Sequence, residues 1–404
     1  MKGTLHVVGA GLAGLACAVA AARAGVRVAV HEAAGHAGGR CRSFRDARLD
    51  RVIDNGTHLV LGANRTALAY ARAIGGDEAM VPAPPAFPFL DLGTGKSWVV
   101  QANRLPVGVL ELFAALGLPW TPEAETVAMR LGPTRSYKGT WLPLCEAIMN
   151  TPPEDASARM FARVLRRVLL RGPKALTPWL FPAGLSSAFV APAVATLGAF
   201  GAEMRTGRRL LAAGRDALVF DDTTQALSPN DRVVLALPPW AIASVLPGEV
   251  PAMPTRAIVN AHFLVGEGTC LPGGKPFLAL SGGTSQWLSL REDVISVTVS
   301  AADALADRPA DDIAALLWAE VARVLGRPGS PQPPVRILKE RRATLAHTPQ
   351  AVARRPGHAT RHPNLFLAGD WIESPWPCTI EAAITSGLEA ARLAVGDRTL
   401  SFAP

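Results

Sequence analysis

The sequence predicts an α/β protein in which a Rossmann-type nucleotide-binding domain is interrupted by a mixed α+β domain. Three features predict this fold. A glycine-rich turn joins a short strand to a helix at the N-terminus, a strand near the C-terminus ends in Gly-Asp, and a long stretch of helical and strand-like patterns lies between them. Nucleotide-binding elements at both ends of one chain indicate a discontinuous domain that carries insertions.

The composition is that of an ordered protein with large cores. The 404 residues are 49% hydrophobic and only 18% charged, which excludes intrinsic disorder. No apolar run reaches the length that a transmembrane helix needs. The net charge of +8 accompanies no nucleic-acid recognition module, so a solvated basic surface or attraction to anionic lipid explains it better. No nucleic-acid partner is expected.

The cysteines indicate a reducing compartment, and we expect the protein in the cytoplasm. They are odd in number, widely spaced and contain no CxxC pair, which argues against a disulfide framework and against a zinc site. No metal is therefore expected. The cysteines are Cys17, Cys41, Cys145, Cys270 and Cys378.

The N-terminal segment has the order of a dinucleotide-binding unit. The strand-like run 5–8 leads into a GxGxxG sequence and then into an alanine-rich helix. Gly9 permits the tight turn, Gly11 lets the backbone approach a pyrophosphate, and Gly14 lets the helix pack on the strand. A second strand-like run ends just before Glu32, whose carboxylate can accept hydrogen bonds from both ribose hydroxyls.

The loop after this second strand separates flavin binding from nicotinamide binding. Gly38, Gly39 and Arg40 form a GGR sequence, by which the chain resembles the family of amine oxidases and phytoene-desaturase-like flavoproteins. In that family a GGR loop covers the pyrophosphate of FAD. The resemblance implies FAD as the cofactor, with phosphate contacts from Gly39 and Arg40, because a guanidinium fork suits a dianionic group.

The C-terminal end carries the second half of the same resemblance. An apolar strand over 364–368 breaks at Gly-Asp, and a helix opens about ten residues later. In the family, this aspartate holds the ribityl or phosphate part of FAD, and the helix N-terminus faces the flavin ring. The resemblance assigns these FAD contacts to Gly369 and Asp370 and to the backbone of Thr379, Ile380 and Glu381.

A third segment completes the predicted FAD-binding domain. Residues 231–240 read as a strand stopped by prolines, and a preceding basic stretch leads into a strand whose backbone, at Leu211, is expected to touch the adenine. The predicted FAD-binding domain comprises residues 1–75, 200–245 and 352–398, and the predicted substrate domain comprises residues 76–199 and 246–351.

The inserted domain is expected to hold a mixed sheet flanked by helices. Its first insert reads as helix-rich between prolines, and its second contains strand-like runs over 257–265, 277–280 and 294–299. Neither insert carries a second strand-linked GxGxxG sequence. The chain therefore has no evident NADPH domain, and the donor of electrons to the flavin is external and not encoded visibly.

Within the family, the chain resembles the hydroxysqualene dehydroxylases of bacterial hopanoid synthesis over about residues 5–395. The strings that carry this resemblance lie at residues 53–58, 258–263, 339–344, 369–371 and 379–381. The resemblance implies that an allylic alcohol, hydroxysqualene, is reduced to squalene with loss of water. Reduced FAD is then the hydride donor, and the substrate is a lipophilic triterpene.

This chemistry requires a general acid and a dry pocket that tolerates a cation. Aromatic faces stabilise cations, and the chain has 9 Trp and 13 Phe residues that can line such a pocket. The candidates for the acid lie in the strings that resemble the subfamily. They are Asp54, His58, His262 and Glu381, and the sequence does not choose among them.

Two other functions remain open. A carotenoid or phytoene desaturase-type oxidase acting on a polyisoprenoid would carry the same FAD motifs, and a non-catalytic FAD-binding scaffold in a lipid-synthesis complex is an alternative of another class. Amine oxidation is disfavoured. Amine oxidases often place a lysine at the start of the strand that corresponds to 258–263, where this chain has Arg256 and Ala257.

The segment 158–181 bears on how a lipophilic substrate arrives. Apolar residues recur along one face of a predicted helix and arginines along the other, which is typical of a helix lying on anionic lipid. Trp179 and Phe181 follow as candidate anchors. A helix packed on the core with a solvated basic back fits the same pattern. We expect peripheral attachment to the inner face of the cytoplasmic membrane, with this helix at the pocket mouth.

Overall fold

The computed structural model describes residues 2–101, 107–118 and 120–403. Its strands are, in chain order, β1 (Thr4–Val8), β2 (Arg27–His31), β3 (Ser43–Asp46), β4 (Arg51–Asp54), β5 (Val60–Leu61), β6 (Val81–Pro82), β7 (Ala86–Asp91), β8 (Ser97–Gln101), β9 (Pro178–Leu180), β10 (Glu203–Arg205), β11 (Leu210–Ala213), β12 (Ala217–Phe220), β13 (Thr224–Ala226), β14 (Arg232–Leu235), β15 (Thr255–Leu264), β16 (Phe277–Ser281), β17 (Trp287–Arg291), β18 (Val294–Val299), β19 (Val335–Leu345) and β20 (Leu365–Leu367). Its α-helices are α1 (Leu12–Arg23), α2 (Arg65–Ala73), α3 (Val109–Ala115), α4 (Val127–Leu131), α5 (Leu142–Met149), α6 (Ala158–Leu169), α7 (Leu185–Phe189), α8 (Ala191–Ala199), α9 (Pro239–Val245), α10 (Asp303–Asp307), α11 (Ala310–Val324), α12 (Pro349–Ala353) and α13 (Ile380–Val395).

A parallel sheet of five strands, in the order β10-β2-β1-β14-β20, draws on three separate stretches of the chain. The strands and helix that the nucleotide-binding motifs predict are confirmed to within one or two residues at their N-terminal ends. The strand order changes direction between β1 and β14, so a crevice opens outside the carboxyl ends of these two strands. Ligands of open α/β sheets bind at such a point.

Helices α1 and α13 pack closely on one another beside this sheet. A Cβ atom added at Gly387 would lie 2.1 Å from the carbonyl oxygen of Ala13, so only glycine permits this approach. Helices α7 and α8 join the same apolar core through Phe189 and Leu197. Helices α7 and α8 therefore pack with α1, although the predicted boundary at residue 199 assigns both helices to the substrate domain.

The second large sheet has seven strands in the order β19-β15-β18-β17-β16-β7-β8 and is mixed, because β16 and β7 are parallel. The three strands expected in the second insert are confirmed as β15, β16 and β18. Strands β7 and β8 come from the first insert, which the sequence describes only as helix-rich. Pro88, within β7, interrupts the alternation by which a strand is recognised.

The two faces of this sheet have different neighbours. On β16, Leu278 and Leu280 pack with α11, whereas Phe277 and Ala279 join an aromatic cluster on the other face, as alternation along a strand requires. We use the name aromatic cluster for the packed side chains of Phe87, Phe89, Trp98, Phe277, Trp287 and Trp376.

Helix α6 forms as predicted, but its apolar face is in the protein core. Phe161, Val164 and Val168 are buried, so the prediction that this face enters lipid is wrong. Of the two candidate anchors, Phe181 is wrong, because it is buried with its ring 5.5 Å from that of Phe189. Trp179 is half-buried within β9 and packs against the core that contains α1. Among the described residues, no helix is both long and apolar enough to span a membrane.

Candidate functional site

The turn after β1 is held by two glycines and open at the third. A Cβ atom at Gly9, whose φ is +101°, would lie 2.4 Å from the carbonyl oxygen of Ala236. A Cβ atom at Gly14 would lie 1.8 Å from the carbonyl oxygen of Gly9, so helix and turn are in direct contact. At Gly11 no atom lies within 4 Å of the added Cβ, and this open side is where a ligand can approach the backbone.

The GGR loop lies over this turn. The amide of Gly38 donates to the carbonyl oxygen of Ala10 at 2.8 Å, and Gly38 forms an isolated parallel bridge with Gly11. A Cβ atom at Gly39 would lie 3.3 Å from Cα of Gly11. The loop and the turn therefore bound one narrow space, into which the N-terminus of α1 points.

Glu32 lies at the carboxyl end of β2 and faces the same space. Its two carboxylate oxygens accept from the backbone amides of Ala10 at 2.7 Å and Ala34 at 2.8 Å. The Arg208 amide donates to the carbonyl oxygen of Glu32, so the segment that enters β11 runs beside it. Leu211 lies further along β11, and its side chain is half exposed. The contact expected of this residue is one between its backbone and the adenine.

The two ends of the chain meet at an ion pair. Arg40 Nη2 lies 2.8 Å from Asp370 Oδ1, and this carboxylate raises the pKa of the guanidinium. A third residue, which the sequence did not single out, fixes the aspartate loop. The buried Arg355 donates to the carbonyl oxygens of Asp370, Trp371 and Trp376, the last at 2.7 Å. Nothing in the local sequence distinguishes Arg355 from its neighbour Arg354.

Thr379 and Glu381 organise the start of α13. The Thr379 hydroxyl accepts from the amide of Ala382 at 3.2 Å and so caps the helix. The buried carboxylate of Glu381 accepts from the amides of Thr66 at 3.1 Å and Ala67 at 2.8 Å, at the N-terminus of α2. Burial raises the pKa of Glu381, while these backbone donors oppose the shift.

The other candidate acids occupy different surroundings. Asp54 Oδ1 accepts from the Ser43 hydroxyl at 2.5 Å and the Leu185 amide at 2.9 Å, and Oδ2 pairs with Arg291 at 2.7 Å. His262 lies within β15, where Nδ1 is 2.8 Å from the Ser296 hydroxyl and burial lowers its pKa to about 4. Both groups are held by the second sheet and its neighbours.

His58 differs from the other three candidates. Its side chain retains exposed surface, yet burial by the surrounding protein lowers its pKa, with Asp54 and Arg40 as the charged neighbours. This combination is expected of a group that lines an internal cavity. The next residue, Leu59, packs against the aromatic cluster. His58 is therefore near Arg40, and the residue that follows it packs on the aromatic cluster.

The arrangement fits FAD in three respects. The open side of Gly11 admits a pyrophosphate, Glu32 presents a carboxylate where a ribose would lie, and Arg40 with Asp370 closes the crevice that also exposes Trp240 and Cys378. The start of α13 connects this crevice to the aromatic cluster, because Ala382 and Trp376 pack within that cluster.

Comparison with known proteins agrees with this geometry. A family described as "NAD(P)-binding Rossmann-like domain" matches residues 7–74, and "Flavin containing amine oxidoreductase" matches residues 142–395. The hydroxysqualene dehydroxylase of Rhodopseudomonas palustris is 41% identical, over 97% of this chain and 98% of its own. The hydroxysqualene dehydroxylase of Sinorhizobium fredii is 38% identical, over 98% of this chain and 99% of its own.

Solved structures show the same fold at much lower identity. The putative protoporphyrinogen oxidase from Exiguobacterium sp. superposes with a TM-score of 0.71 at 18% identity, covering 97% of this chain and 98% of its own. The fold, the crevice and the relatives together show that this chain is an FAD-dependent oxidoreductase and belongs to the hydroxysqualene dehydroxylase family of flavin-containing amine oxidoreductases.

Proposed function

We propose that this chain reduces hydroxysqualene to squalene with loss of water. One observation carries the proposal beyond the relatives' names: Trp376, six residues after the Asp370 of the crevice, and Ala382, in the first turn of α13, pack in the aromatic cluster. Bound in its reduced form, FAD would supply the hydride that forms the new C–H bond at the allylic carbon, while the hydroxyl would take up a proton and leave as water.

We propose the FAD contacts that the sequence indicates. Gly11, Gly38 and Gly39 border the space for the pyrophosphate, Glu32 accepts from the adenosine ribose, and Arg40 and Asp370 contact the phosphate and ribityl groups. The supporting geometry is the open side of Gly11 beneath the GGR loop. The remaining proposed contacts are Gly9, Gly14, Gly369, the backbone of Thr379, Ile380 and Glu381, and the backbone at Leu211.

We also propose the corresponding domain division. The FAD-binding domain comprises residues 1–75, 200–245 and 352–398, and the substrate domain comprises residues 76–199 and 246–351. The core that α1 shares with α7 and α8 supports one adjustment. These two helices belong structurally with the FAD-binding domain.

The aromatic cluster is proposed to receive the reacting end of the substrate. Phe89 stacks on Trp98 with ring centroids 5.3 Å apart, and Phe277 lies 5.7 Å from Phe87 and 6.4 Å from Trp287. Aromatic faces attract cations, and a wall of rings excludes the water that would trap an allylic cation. The cluster thus offers the dry, cation-tolerant surface that the reaction needs.

Among the four candidate acids we propose His58. The carboxylate of Asp54 is paired with Arg291, that of Glu381 caps α2, and His262 is enclosed in the sheet at a pKa of about 4. His58 alone of the four combines exposed surface with Arg40 as a charged neighbour and with a chain neighbour, Leu59, that packs on the aromatic cluster. Its lowered pKa makes the protonated ring a stronger acid, whose population grows as the pH falls.

The reaction is tested with the flavin as its own reporter. Holoenzyme reduced by dithionite is mixed without oxygen with hydroxysqualene dispersed in detergent. We expect flavin reoxidation together with stoichiometric squalene, and no reoxidation would overturn the proposal. A desaturase would show the opposite change, since squalene or phytoene would then reduce the oxidised flavin.

The same assay tests the proton donor. His58→Ala is expected to retain FAD and to slow single-turnover reoxidation by about 10²- to 10⁴-fold, the usual range for general acid catalysis. The wild-type rate should rise as the pH falls below 7, and the variant should lose this dependence. His262→Ala is the matched control. A wild-type rate and pH profile in His58→Ala would exclude His58 as the donor.

We propose, further, that the protein works as a peripheral protein on the inner face of the cytoplasmic membrane, where a triterpene partitions. The outward-facing arginines of α6 support this, because basic residues near an anionic surface are attracted to it. An external donor supplies the electrons that reduce the flavin.

A further inference from the structure

The surface around α3 and α4 exposes large apolar side chains. On α3, Val109 is 71% exposed, Leu110 83% and Phe113 50%, and their spacing places them along one side of the helix. Trp120 is 66% exposed and Met129, on α4, is 68% exposed. Contiguous exposure of this kind marks an interaction surface.

These side chains belong to one patch because Arg130 joins the segments that carry them. Its guanidinium donates to the carbonyl oxygens of Ala114 at 2.7 Å, Leu118 at 3.3 Å and Trp120 at 3.2 Å. Arg130 follows Met129 directly in the chain. The end of α3, Leu118, Trp120 and α4 are therefore held together.

A basic cleft adjoins this patch. It has a volume of about 480 Å³ and is lined by Arg163, Arg166, Arg167 and Arg171 of α6 and its C-terminal end, together with Pro375. Arg166 also donates to the carbonyl oxygen of Leu116 at 3.0 Å, which places the cleft beside the end of α3.

In the described part of the chain no carboxylate lies within ion-pair distance of the cleft arginines, and Glu381 acts on Arg167 only at longer range. None of the four forms an ion pair there, whereas Arg159, one turn earlier on α6, lies 3.4 Å from Glu123. Arg167 is held over the ring of Trp376 at 5.2 Å. Four like charges around one concavity are neutralised best by a ligand with several negatively charged oxygens, such as a phosphate.

Helix α6 separates this cleft from the aromatic cluster. Its inner face packs Val164 and Val168 into the cluster, to which Trp376 also belongs, while its outer face bears the arginines. A lipophilic molecule that leaves a bilayer at this surface would therefore be within one helix diameter of the proposed reaction site.

We propose that the apolar patch and the α6 cleft form one membrane-docking surface, with the cleft binding the phosphate of an anionic phospholipid and the patch entering the acyl-chain boundary. The inference deepens and rests on the proposed function, in which a membrane-soluble substrate is used. Charge complementarity and apolar exposure on the same surface are the two properties that interfacial binding requires. A neutral triterpene alcohol offers nothing for four arginines to bind.

Flotation of the FAD-bound protein on vesicles tests the surface. Wild type should float with vesicles of phosphatidylcholine and phosphatidylglycerol and much less with phosphatidylcholine alone. Phe113→Ser should weaken partitioning about tenfold, whereas Phe200→Ser, the same change at a side chain 55% exposed elsewhere, should not. The double variant Arg163→Gln with Arg171→Gln should weaken partitioning onto anionic vesicles about 30-fold. The double variant Arg48→Gln with Arg72→Gln, which removes the same charge elsewhere, should weaken partitioning much less.

Two results would overturn this proposal. One is equal flotation of the patch or cleft variants and their matched controls. The other is saturable binding of inorganic pyrophosphate in the cleft without any vesicle binding, which would assign the cleft to a soluble phosphate compound. Flotation uses no hydroxysqualene, so a protein that floats normally but fails to reoxidise its flavin would contradict the proposed reaction alone.

Discussion

Two groups of arginines in this molecule differ in how their charge is neutralised. At the crevice, Arg40 pairs with Asp370, and Arg355 is buried among three carbonyl oxygens of the loop that follows. On and just after α6, by contrast, the four arginines of the cleft form no ion pair with any described carboxylate, and Glu381 acts on Arg167 only at longer range.

The difference indicates that the two groups of arginines have different roles. Acceptors that the chain itself provides fix the crevice arginines, so these hold the fold of the cofactor site before any ligand binds. The α6 arginines repel one another until an external anion is present. Changes in the first group should therefore be costly to folding and cofactor binding, and changes in the second should be costly only to partner binding.

The largest effect is expected at Arg355. Replacing it by methionine leaves the carbonyl oxygens of Asp370, Trp371 and Trp376 buried without their donor. Loss of a buried, multiply bonded cation lowers the free energy of unfolding by about 3 to 5 kcal/mol. Urea denaturation of the holoprotein measures this change, and Arg354→Met, at the exposed neighbouring position, is the control. Equal stability of the two variants would contradict a structural role for Arg355.

The next effect is expected at Glu32, on the ligand side of the crevice. Glu32→Ala removes the carboxylate proposed to accept from the ribose and should weaken FAD binding by about 2 to 3 kcal/mol, roughly 30- to 150-fold. Glu32→Gln keeps one acceptor oxygen and should lose less. Flavin retention after gel filtration ranks the three proteins, and full retention in Glu32→Ala would exclude the proposed role.

The crevice could be predicted from the sequence because its requirements are local. Gly9 is needed because the turn gives it a φ of +101°, and Gly14 is needed because it contacts Gly9 within the same turn and helix, so spacing alone reveals both. Arg355 could not be recognised, because its acceptors lie 15 to 21 residues away and depend on how a loop folds back. An arginine in a sequence is read as solvated until its acceptors are known.

The docking surface was only partly predictable for a related reason. The alternation of arginines and apolar residues on α6 correctly indicates two faces, but which one is covered depends on the aromatic cluster, whose members come from β7, β8, β16, β17 and the loop before α13. The exposed residues of α3 form an ordinary amphipathic pattern. They are exposed because no other part of the described chain covers them, and the spacing of residues in the sequence does not reveal this.

Acid should weaken the FAD-binding sheet through its buried histidines. Burial, with smaller contributions from His6 and Arg208, lowers the pKa of His31 to about 3. Because the folded pKa is below the unfolded value near 6.5, the stabilising contribution is complete above pH 6.5 and is lost as the pH falls toward 3. The slope is about 1.4 kcal/mol per pH unit for one such group.

Urea midpoints between pH 7.5 and 5 measure this loss. His262 and His347, whose pKa values burial lowers to about 4, add to it, whereas Glu146 acts with the opposite sign because burial raises its pKa to about 7. His31→Asn is expected to show a shallower pH dependence than wild type. Parallel curves for the two proteins would show that His31 is protonated equally in the folded and unfolded states.

The smallest effect on stability is expected on α6 and distinguishes the two arginine groups most directly. Arg163 and Arg171 each stand four residues from Arg167, whose pKa is lowered by burial and then by these two neighbours. Like charges at this spacing destabilise a helix by about 0.2 to 0.5 kcal/mol per pair, which applies to Arg163 and Arg167 within α6, while Arg171 follows the helix end. Arg163→Gln with Arg171→Gln should therefore leave the free energy of unfolding unchanged or slightly higher. Arg159→Gln, which breaks the pair with Glu123, should lower the free energy of unfolding by less than about 1 kcal/mol.

High salt should erase the stability differences of both variants from wild type, because these groups are near the surface. A loss of several kcal/mol in the double variant would mean that the chain itself neutralises these charges, as it does at the crevice, and that no external anion is required.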